Sequence, residues 1–293
     1  MRIIFIGTVF YSEVMLLKLI ELNANIVGVL TKEESKVNSD FKDLTKVSSE
    51  NSIDSKYFNK INDLEVLEWI KSKKPDVIFC FGLSQIISKE ILEVPAIGVV
   101  GYHPTLLPMN RGRHPLIWAI ALGLKQTGST FFFMDEGADS GDILAQEVIK
   151  ISEGMNSQEL YEEVIKVSKN QVEIFLPELQ QGVYKRIKQD HTKANTWRKR
   201  GKKDGEIDFR MSAKNINRLI LALSKPYVGA HVVYQGSDVN VWKSNVIKEN
   251  YTNYESGKVL KSDESSIIIK CGEDSIEIIE HEFDTLPKIG EYL

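Results

Sequence analysis

The 293-residue sequence has only two cysteines, Cys80 and Cys271, and lacks the features that define several large classes of protein. Two cysteines exclude a disulfide-stabilised scaffold and suit a reducing compartment, so we expect a cytoplasmic protein. Because Cys80 lies in the apolar run 77–81, we expect a buried strand cysteine rather than a reactive thiol. No apolar run approaches the roughly 18 residues that span a bilayer. The apolar start at residues 1–6 is too short for a signal peptide.

Neither sign of charge predominates in the whole sequence. It carries 37 Lys and Arg against 41 Asp and Glu, which gives a formal net charge of −4. A weakly negative chain argues against a protein that binds nucleic acid over its whole surface. With 42% hydrophobic and 27% charged residues, the composition excludes a disordered, collagen-like or coiled-coil architecture. The length accommodates one large domain or two modest ones.

Two further absences concern motifs. Gly7 follows the first apolar run, but the next glycine is Gly28, so the dinucleotide fingerprint G-x-G-x-x-G is missing, as is the lysine of a P-loop. These absences disfavour a dehydrogenase. The five histidines form no H-x-x-x-H or H-E-x-x-H pattern and the cysteines form no C-x-x-C pair, so we expect no metal site.

The first 150 residues do contain an alternation of short apolar runs with segments of helical periodicity. Strands are predicted at residues 2–6, 26–30, 76–82 and 97–102, and helices at residues 10–22, 63–72 and 115–124. This alternation predicts an α/β fold with a Rossmann-like, mostly parallel sheet. Residues 127–134 and 142–151 predict an antiparallel pair, and residues 32–60 predict a loop with at most one short helix. Residues 156–176 predict a long amphipathic helix, which Pro177 should end.

The composition changes after residue 184. Residues 185–203 hold nine Lys and Arg and one Asp, a net charge of +8, and show no apolar periodicity. This segment predicts a linker, which is either a solvated connector or an edge that faces phosphate. Short strand-like runs between turn residues then predict a small β domain, a Greek-key barrel of the OB type. We therefore expect an α/β domain at residues 1–184, a basic linker at 185–204 and the β domain at 205–293.

His103 is the histidine best placed for chemistry, because it directly follows a predicted strand of the parallel sheet. Ligands bind at the carboxyl ends of such strands. A histidine at a rigid corner before Pro104 suits proton transfer, although a structural hydrogen bond would explain it equally well. Residues 134–142 form a second candidate, a turn with four acids and two glycines that includes Asp139. A carboxylate beside a histidine holds one tautomer and stabilises the positive charge, whereas alone this segment would be an ordinary acidic turn.

Three blocks of sequence together resemble the 10-formyltetrahydrofolate-dependent formyltransferases. They are GVVGYHPTLLPMNRGRHP at residues 98–115, DEGADSGDIL at residues 135–144, and TWRKRGKKDGEIDF at residues 196–209 with PYVGA at residues 226–230. Their order is that of the two-domain members, which include methionyl-tRNA formyltransferase and the sugar N-formyltransferases. The resemblance implies a formyltransferase fold with a C-terminal domain, and N-formyl transfer from N10-formyltetrahydrofolate without a metal.

The resemblance also implies roles at matching positions. His103 would take a proton from the amine of the acceptor, and Asp139 would orient His103 and stabilise its charge. Such acid–base catalysis is worth roughly 10²–10⁴ in rate. The amine would attack the formyl carbon, an oxyanion would form, and N10 of the folate would leave with a proton. The implied folate-binding positions are Phe81, Leu83, Gln85, Ile86, Ile87, Asp135 and Gly137. The implied acceptor-binding positions are Thr105, Asn110, Arg111 and Arg113.

One catalytic position departs from the family pattern. The family has an asparagine two residues before the histidine, and here that residue is Gly101. The asparagine is expected to donate a hydrogen bond to the oxyanion, and losing one such donor typically costs about 10²–10³ in rate. Since the blocks around His103 and Asp139 are intact, we hypothesise that backbone, water or another residue substitutes for it.

Three formyl acceptors compete. Glycinamide ribonucleotide enzymes resemble only the first part of the chain, so the β domain argues against them. A tRNA acceptor needs a surface for anionic RNA, yet residues 249–293 hold four Lys and Arg against eleven Asp and Glu. Residues 32–60 contain neither proline nor glycine, where the tRNA enzymes are expected to have a basic segment rich in both. The segment NRGRHPLIWA at residues 110–119 looks like the sugar-modifying branch.

We therefore expect the acceptor to be a nucleotide-linked amino sugar, formylated for surface polysaccharide or glycan biosynthesis, rather than a nucleic acid or a membrane component. Dideoxy-amino-hexoses, amino-arabinose and nonulosonic-acid precursors are candidates, and Arg111, Arg113 and the basic linker would face the diphosphate. The β domain would either dimerise or support the catalytic domain.

Other functions remain as alternatives. Methionyl-tRNA formyltransferase is the first, and a non-catalytic folate-binding protein, which Gly101 favours, is the second. A nucleotide-sugar oxidoreductase or epimerase would need the missing glycine fingerprint and a Tyr-x-x-x-Lys pair within the sheet. That spacing occurs only outside the predicted sheet, at Tyr184/Lys188 and Tyr254/Lys258.

Overall fold

The computed structural model of the chain describes residues 1–34, 40–248 and 253–293. The chain divides into two compact units. The first comprises Met1–Pro115, Thr127–Ile149 and Glu162–Trp197, and the second comprises Leu116–Gln126, Lys150–Tyr161 and Arg198–Leu293. Residues 185–197 of the predicted linker thus belong to the first unit. The predicted domain boundaries at 184/185 and 204/205 stay a prediction.

A mixed seven-stranded sheet forms the centre of the first unit. The strands of this unit are β1 (Ile3–Ile6), β2 (Ile26–Thr31), β3 (Ser55–Tyr57), β4 (Val77–Cys80), β5 (Gly98–His103), β6 (Arg111–Gly112), β7 (Gln126–Phe133), β8 (Ile143–Lys150) and β9 (Thr196–Trp197). The order in the sheet is β3-β2-β1-β4-β5-β7-β8, and β6 and β9 pair separately with each other. Pairing is parallel from β3 to β5, and β7 runs antiparallel to β5. The predicted Rossmann-like, mostly parallel sheet is confirmed.

The sheet is covered on both faces, as its apolar strands require. All four residues of β1 and of β4 are buried. Aromatic side chains fill one side of the core, where the rings of Phe79 and Phe81 stack at 5.3 Å and Phe131 packs edge-on against Phe81 and Phe175. The thiol of Cys80 is also buried, and its burial raises its pKa to about 12. Cys80 is therefore a packed strand residue, as predicted.

The helices of the described residues are α1 (Phe10–Glu21), α2 (Thr45–Glu50), α3 (Leu64–Lys73), α4 (Lys89–Leu92), α5 (Pro115–Ala121), α6 (Ser157–Gln181) and α7 (Ala213–Ala222). Helices α1, α3 and α5 match the predicted helices at residues 10–22, 63–72 and 115–124, whereas α4 was not predicted. In α1 the buried residues Met15, Leu16 and Leu19 recur at helical spacing, which explains the helix. No helix in the described ranges has both the length and the apolar character needed to cross a bilayer.

The prediction that Pro177 ends the long helix is wrong, because α6 continues to Gln181. A proline inside a helix costs about 3 kcal/mol. Pro177 itself is exposed, but Phe175 and Leu176 before it and Leu179 after it are buried. The apolar face of α6 therefore extends beyond the proline, and its burial offsets the cost.

The segment 32–60 contains one element that the sequence did not predict. The short helix allowed for there is α2, but residues 55–57 also form β3, which pairs in parallel with β2 at the edge of the sheet. Ser55, Lys56 and Tyr57 show no apolar alternation, so this edge strand has no sequence signal. Residues 35–39 of the same segment lie outside the described residues.

The second unit contains a five-stranded antiparallel sheet. Its strands are β10 (Ala230–Tyr234), β11 (Ser237–Ile247), β12 (Val259–Ser262), β13 (Ile267–Lys270) and β14 (Ser275–His281), in the order β10-β11-β14-β13-β12. Gln235 and Gly236 connect β10 to β11 with positive φ angles of 50° and 81°, as a two-residue type I′ turn requires. Helix α7 packs against β11 and β14. The predicted β domain is confirmed, whereas its classification as an OB-type barrel stays a prediction.

Candidate active site

His103 is the last residue of β5, where the sheet ends, and only 5% of its surface is exposed. Both ring nitrogens face oxygen atoms. Nε2 lies 2.8 Å from the main-chain oxygen of Asn110, and Nδ1 lies 3.7 Å from Oδ2 of Asp139. A doubly protonated ring would donate to the oxygen of Asn110 and form an ion pair with Asp139, whose distance is too long for a hydrogen bond. The structure thus brings together His103 and Asp139, which are 36 positions apart in the sequence.

Asp139 lies in the turn between β7 and β8, in the left-handed backbone region with φ of 54°. Its Oδ2 accepts a hydrogen bond of 2.9 Å from the main-chain N–H of Gly112. At the start of the same turn, Oδ1 of Asp135 accepts from the N–H of Gly137 at 3.0 Å and from the hydroxyl of Ser140 at 2.6 Å. The acidic turn is therefore a folded loop, and Asp139 lies between His103 and the loop that contains Gly112.

Gly101 and His103 are two residues apart in β5, so they belong to the same face of the sheet. The space beside Gly101 is filled. A Cβ at this position would lie 2.9 Å from Cγ of Met134 and 3.0 Å from Cζ of Phe132. The absent family asparagine therefore leaves no cavity, because Met134 and Phe132 pack where its side chain would begin.

The loop after β4 contains the residues implied in folate binding, and its side chains point in different directions. Phe81 and Ile87 are buried, Leu83 is half-buried and Ile86 is 71% exposed. The side-chain amide of Gln85 accepts from the N–H of Ile61 at 2.8 Å and donates to the main-chain oxygen of Asn59 at 2.9 Å. The side chain of Gln85 thus fixes the loop, whereas Ile86 presents an apolar surface.

The loop after β4 lies beside the acidic turn. Lys89, which follows the loop, forms an ion pair of 3.8 Å with Glu136. Across the described residues, the main-chain N–H groups of Gln85 and Ile87 donate no hydrogen bond to protein. The two segments implied in folate binding are therefore neighbours, and one offers two main-chain donors next to the exposed Ile86.

The residues implied in acceptor binding occupy the loop between β5 and α5, with different exposure. Thr105 is fully buried, and its hydroxyl donates to the main-chain oxygen of Met109 at 3.1 Å. Asn110 has a positive φ of 63° and Arg113 donates to the main-chain oxygen of Ser84 at 3.3 Å. Thr105 and Asn110 shape this loop through the main chain, and the Arg113 contact joins it to the loop after β4.

Arg111 is half-buried and contacts other polar groups of the chain. Its Nη2 donates to Oε1 of Gln189 at 2.6 Å and lies 3.0 Å from Nδ1 of His191. Its Nε is buried and has no hydrogen-bond partner in the described part of the chain. That its guanidinium faces a diphosphate stays a prediction.

Residues 187–197, which we call the strap, lie along both loops of the candidate site. Ile187 exchanges two main-chain hydrogen bonds with Ile143, of 2.8 and 2.9 Å, and β9 at the other end pairs in parallel with β6. This segment was predicted to be part of a linker, and Gln189 and Asn195, which contact the two loops, were not predicted as site residues. Their only sequence signal is that they are uncharged amides within a strongly charged run.

In the described ranges, no group of three or more His, Cys, Asp or Glu residues is arranged to hold a metal ion. The polar groups around His103 are a carboxylate, a main-chain carbonyl and main-chain N–H groups. This arrangement can move a proton and stabilise the charge that results.

Comparison with known families identifies the class of protein. Residues 1–176 match the family described as formyl transferase, and residues 199–289 match the formyl transferase C-terminal domain. The chain belongs to the formyl transferase family, as the sequence predicted. The two matched regions leave out residues 177–198, which include the strap.

Individual relatives carry different names. The chain is 31% identical over 300 residues to a methionyl-tRNA formyltransferase of Caldanaerobacter subterraneus, covering 100% of this chain and 96% of that protein. It is 33% identical over 267 residues to the bifunctional polymyxin resistance protein ArnA of Wigglesworthia glossinidia brevipalpis, covering 90% of this chain and 40% of that protein. A solved N-formyltransferase from Helicobacter canadensis, in complex with folinic acid and dTDP-3-aminofucose, has the same fold. It has a TM-score of 0.73 at 17% identity, covering 94% of this chain and 98% of that chain.

Proposed function

We propose that the protein transfers a formyl group from N10-formyltetrahydrofolate to the amine of a nucleotide-linked amino sugar. The observation that carries the formyl transfer is the approach of Asp139 to His103 at the end of β5, in a chain of the formyl transferase family. The acceptor rests on the charge and motifs of the sequence.

The residues of the loop after β4 fit a folate. Ile86 offers an exposed apolar surface, and the main-chain N–H groups of Gln85 and Ile87 are available to a flat heterocycle with polar edges. The acidic turn with Asp135 and Gly137 lies beside them, as the ion pair between Lys89 and Glu136 shows. When bound there, the folate would supply the formyl carbon. The solved Helicobacter canadensis relative, described with folinic acid, supports this donor.

His103 is the group that would handle the proton. The main-chain oxygen of Asn110, at 2.8 Å from Nε2, accepts a hydrogen bond and keeps the hydrogen of the neutral ring on Nε2. Nδ1 would therefore accept the proton from the attacking amine, and the carboxylate of Asp139, 3.7 Å away, would stabilise the resulting positive charge. Because Gly101 provides no amide donor and its side is filled by Met134, the oxyanion donor would be a main-chain N–H group, water or another residue.

Three observations support a sugar acceptor. Residues 249–293 carry eleven Asp and Glu against four Lys and Arg, which disfavours a phosphate backbone spread over the second unit. Residues 32–60 lack proline and glycine, and residues 110–119 resemble the sugar-modifying branch. The description of the Helicobacter canadensis relative, which names dTDP-3-aminofucose, agrees with this choice.

A tRNA acceptor is the second candidate. It is favoured by the relative from Caldanaerobacter subterraneus, which matches the whole chain at 31% identity and is named a methionyl-tRNA formyltransferase. The acidic residues 249–293 and a basic segment limited to residues 185–203 argue against it, since an extended RNA needs several phosphate contacts.

The test is a direct competition between acceptors. The protein is incubated with N10-formyltetrahydrofolate and either a panel of nucleotide-linked amino sugars or methionyl initiator tRNA, and formylated products are identified by mass spectrometry. We expect a mass gain of one formyl group on a nucleotide sugar. Formylation of the tRNA alone would overturn the sugar assignment.

Two variants connect the activity to the site. His103→Gln should lower kcat about 10²–10⁴-fold, because the base is lost. His281→Gln, in β14 of the second unit, is the matched control and should keep its activity. Equal loss in both variants would contradict the role of His103.

A further inference from the structure

The strap contacts both partners of His103. On one side, Oδ1 of Asn195 accepts from the main-chain N–H of Asn110 at 2.8 Å, and the oxygen of Asn110 faces Nε2 of His103. On the other side, Gln189 contacts the turn that contains Asp139. A single segment of chain therefore touches the loop on each side of the histidine ring.

Gln189 is the central residue of these contacts. Only 6% of its surface is exposed, and its amide makes three hydrogen bonds. Nε2 donates to the main-chain oxygens of Asp139 at 2.9 Å and of Gly141 at 2.7 Å, and Oε1 accepts from Arg111 at 2.6 Å. Both hydrogens and one oxygen lone pair of the amide are thus used inside the protein.

The backbone of the two loops needs such support. Asp139 and Asn110 are both non-glycine residues in the left-handed region, with φ of 54° and 63°. Residues in this region persist where the surrounding structure holds them. Gln189 holds the carbonyl of Asp139, and Asn195 holds the N–H of Asn110, so the strap fixes the two unfavourable conformations that face His103.

We infer that Gln189 is a positioning residue for formyl transfer, which keeps the carboxylate of Asp139 at His103 by holding the main chain of the turn. The expected effect on kcat rests on the proposed function, whereas the role of Gln189 in holding the turn does not. Gln189 touches neither the donor nor the acceptor in this role. Its loss should lower kcat more than it raises KM, because the proton-transfer pair is displaced directly, whereas the implied binding residue Arg111 loses one contact.

The first test compares two isosteric variants of buried glutamines. Gln189→Met removes all three hydrogen bonds at similar volume. Gln171→Met is the matched control, since Gln171 is 4% exposed and hydrogen-bonds Ser129 at 2.5 and 3.1 Å, away from both loops. We expect kcat to fall about 10²-fold in Gln189→Met, with a smaller change in KM, because a displacement near 1 Å costs this much. In Gln171→Met both constants should stay near wild type.

The second test does not need turnover. Hydrogen exchange is followed by mass spectrometry in a peptide that covers residues 110–113. The N–H of Gly112 in this peptide donates to the side chain of Asp139, so release of the turn should speed exchange there. Gln189→Met should show this change and Gln171→Met should not. This result stands even if the acceptor is not a sugar.

The outcomes separate the two proposals. Wild-type kcat in Gln189→Met, an equal fall in Gln171→Met, or unchanged exchange in the peptide that covers residues 110–113 would each overturn the role of Gln189. Activity on tRNA alone would overturn only the sugar acceptor, and the kinetic comparison is then made with tRNA. If Gln189→Met does not fold, Gln189→Asn keeps a buried amide but shortens it by one methylene. The same fall in kcat is expected, and wild-type kcat in this variant overturns the inference.

Discussion

Replacing Gly101 by asparagine should not restore a missing donor, because the space for it is occupied. A Cβ at Gly101 would lie 2.9 Å from Cγ and 3.2 Å from Sδ of Met134, and 3.0 Å from the buried Phe132. Overpacking costs about 1–3 kcal/mol, and a buried amide without a partner costs about 1–3 kcal/mol more. Replacing a glycine within a strand offsets about 0.5–1 kcal/mol of this cost, because glycine loses more conformational freedom on folding than other residues. The net loss should be about 1–5 kcal/mol.

Urea unfolding of Gly101→Asn measures this loss, and steady-state kinetics shows whether kcat changes. The double variant Gly101→Asn with Met134→Ala shows how much of the loss comes from crowding between the new side chain and Met134. Because Met134 is the main obstacle, the two substitutions should couple favourably by about 1–3 kcal/mol. Gly201→Asn is the control, since Gly201 has no atom within 4 Å of a Cβ, and it should change stability by less than about 0.5 kcal/mol.

Two results would refute this reasoning. Additive effects of Gly101→Asn and Met134→Ala would show that Met134 does not fill the space beside Gly101. A large rise in kcat for Gly101→Asn alone would show that the amide enters the site and that no other group substitutes for it.

Three other measurements test separate features. Gly112→Ala should destabilise the protein more than Gly154→Ala. Both glycines have positive φ, but only the Cβ at position 112 would overlap a carbonyl oxygen of β9. Equal melting temperatures of the two variants would contradict this. Burial raises the pKa of Cys80 to about 12, so alkylation at pH 8, mapped by peptide mass spectrometry, should occur only on unfolding. The hydrogen bond from Arg210 lowers the pKa of Asp208 from 3.8 to about 2. The ion pair of Asp208 and Arg210 therefore stabilises the fold fully above about pH 4, and this stabilisation is lost between about pH 4 and 2. Since the pair is exposed, Asp208→Asn should change the free energy of unfolding by less than about 1 kcal/mol, as measured by acid unfolding.

The sheet was predictable from the sequence because its strands are buried on both faces. Runs such as Ile3–Ile6 and Val77–Cys80 are wholly apolar, and helical segments between them have the expected periodicity. Prediction failed where a local sequence rule does not reflect the contacts of the folded chain. The edge strand Ser55–Tyr57 has no apolar alternation and is held by main-chain pairing with β2, and Pro177 stays within a helix because Leu179 beyond it is buried.

Only part of the candidate site was predictable from the sequence, and there is a physical reason why some residues were found and others were not. His103 and Asp139 were found because a histidine at a strand end and a glycine-rich acidic turn are visible in the sequence, and because both blocks resemble the formyltransferases. Gln189 and Asn195 were not found, because amide side chains that bind main-chain atoms need no particular spacing and no apolar neighbours. A hydrogen bond to a carbonyl depends on where the carbonyl lies in space, and the sequence carries no signal for that.

The charge of residues 185–203 also needs a different interpretation. A net charge of +8 without apolar periodicity is typical of a solvated linker, yet this segment contains the buried Gln189 and pairs through Ile187 and β9. The cationic side chains are compatible with both arrangements, because lysine and arginine can extend into water from a backbone that is fixed by hydrogen bonds. If Gln189 positions Asp139, a catalytic fragment that ends at residue 184 would retain His103 and Asp139 but lose the segment that holds them together. The functional boundary would then lie after the strap, at residue 197, rather than before it.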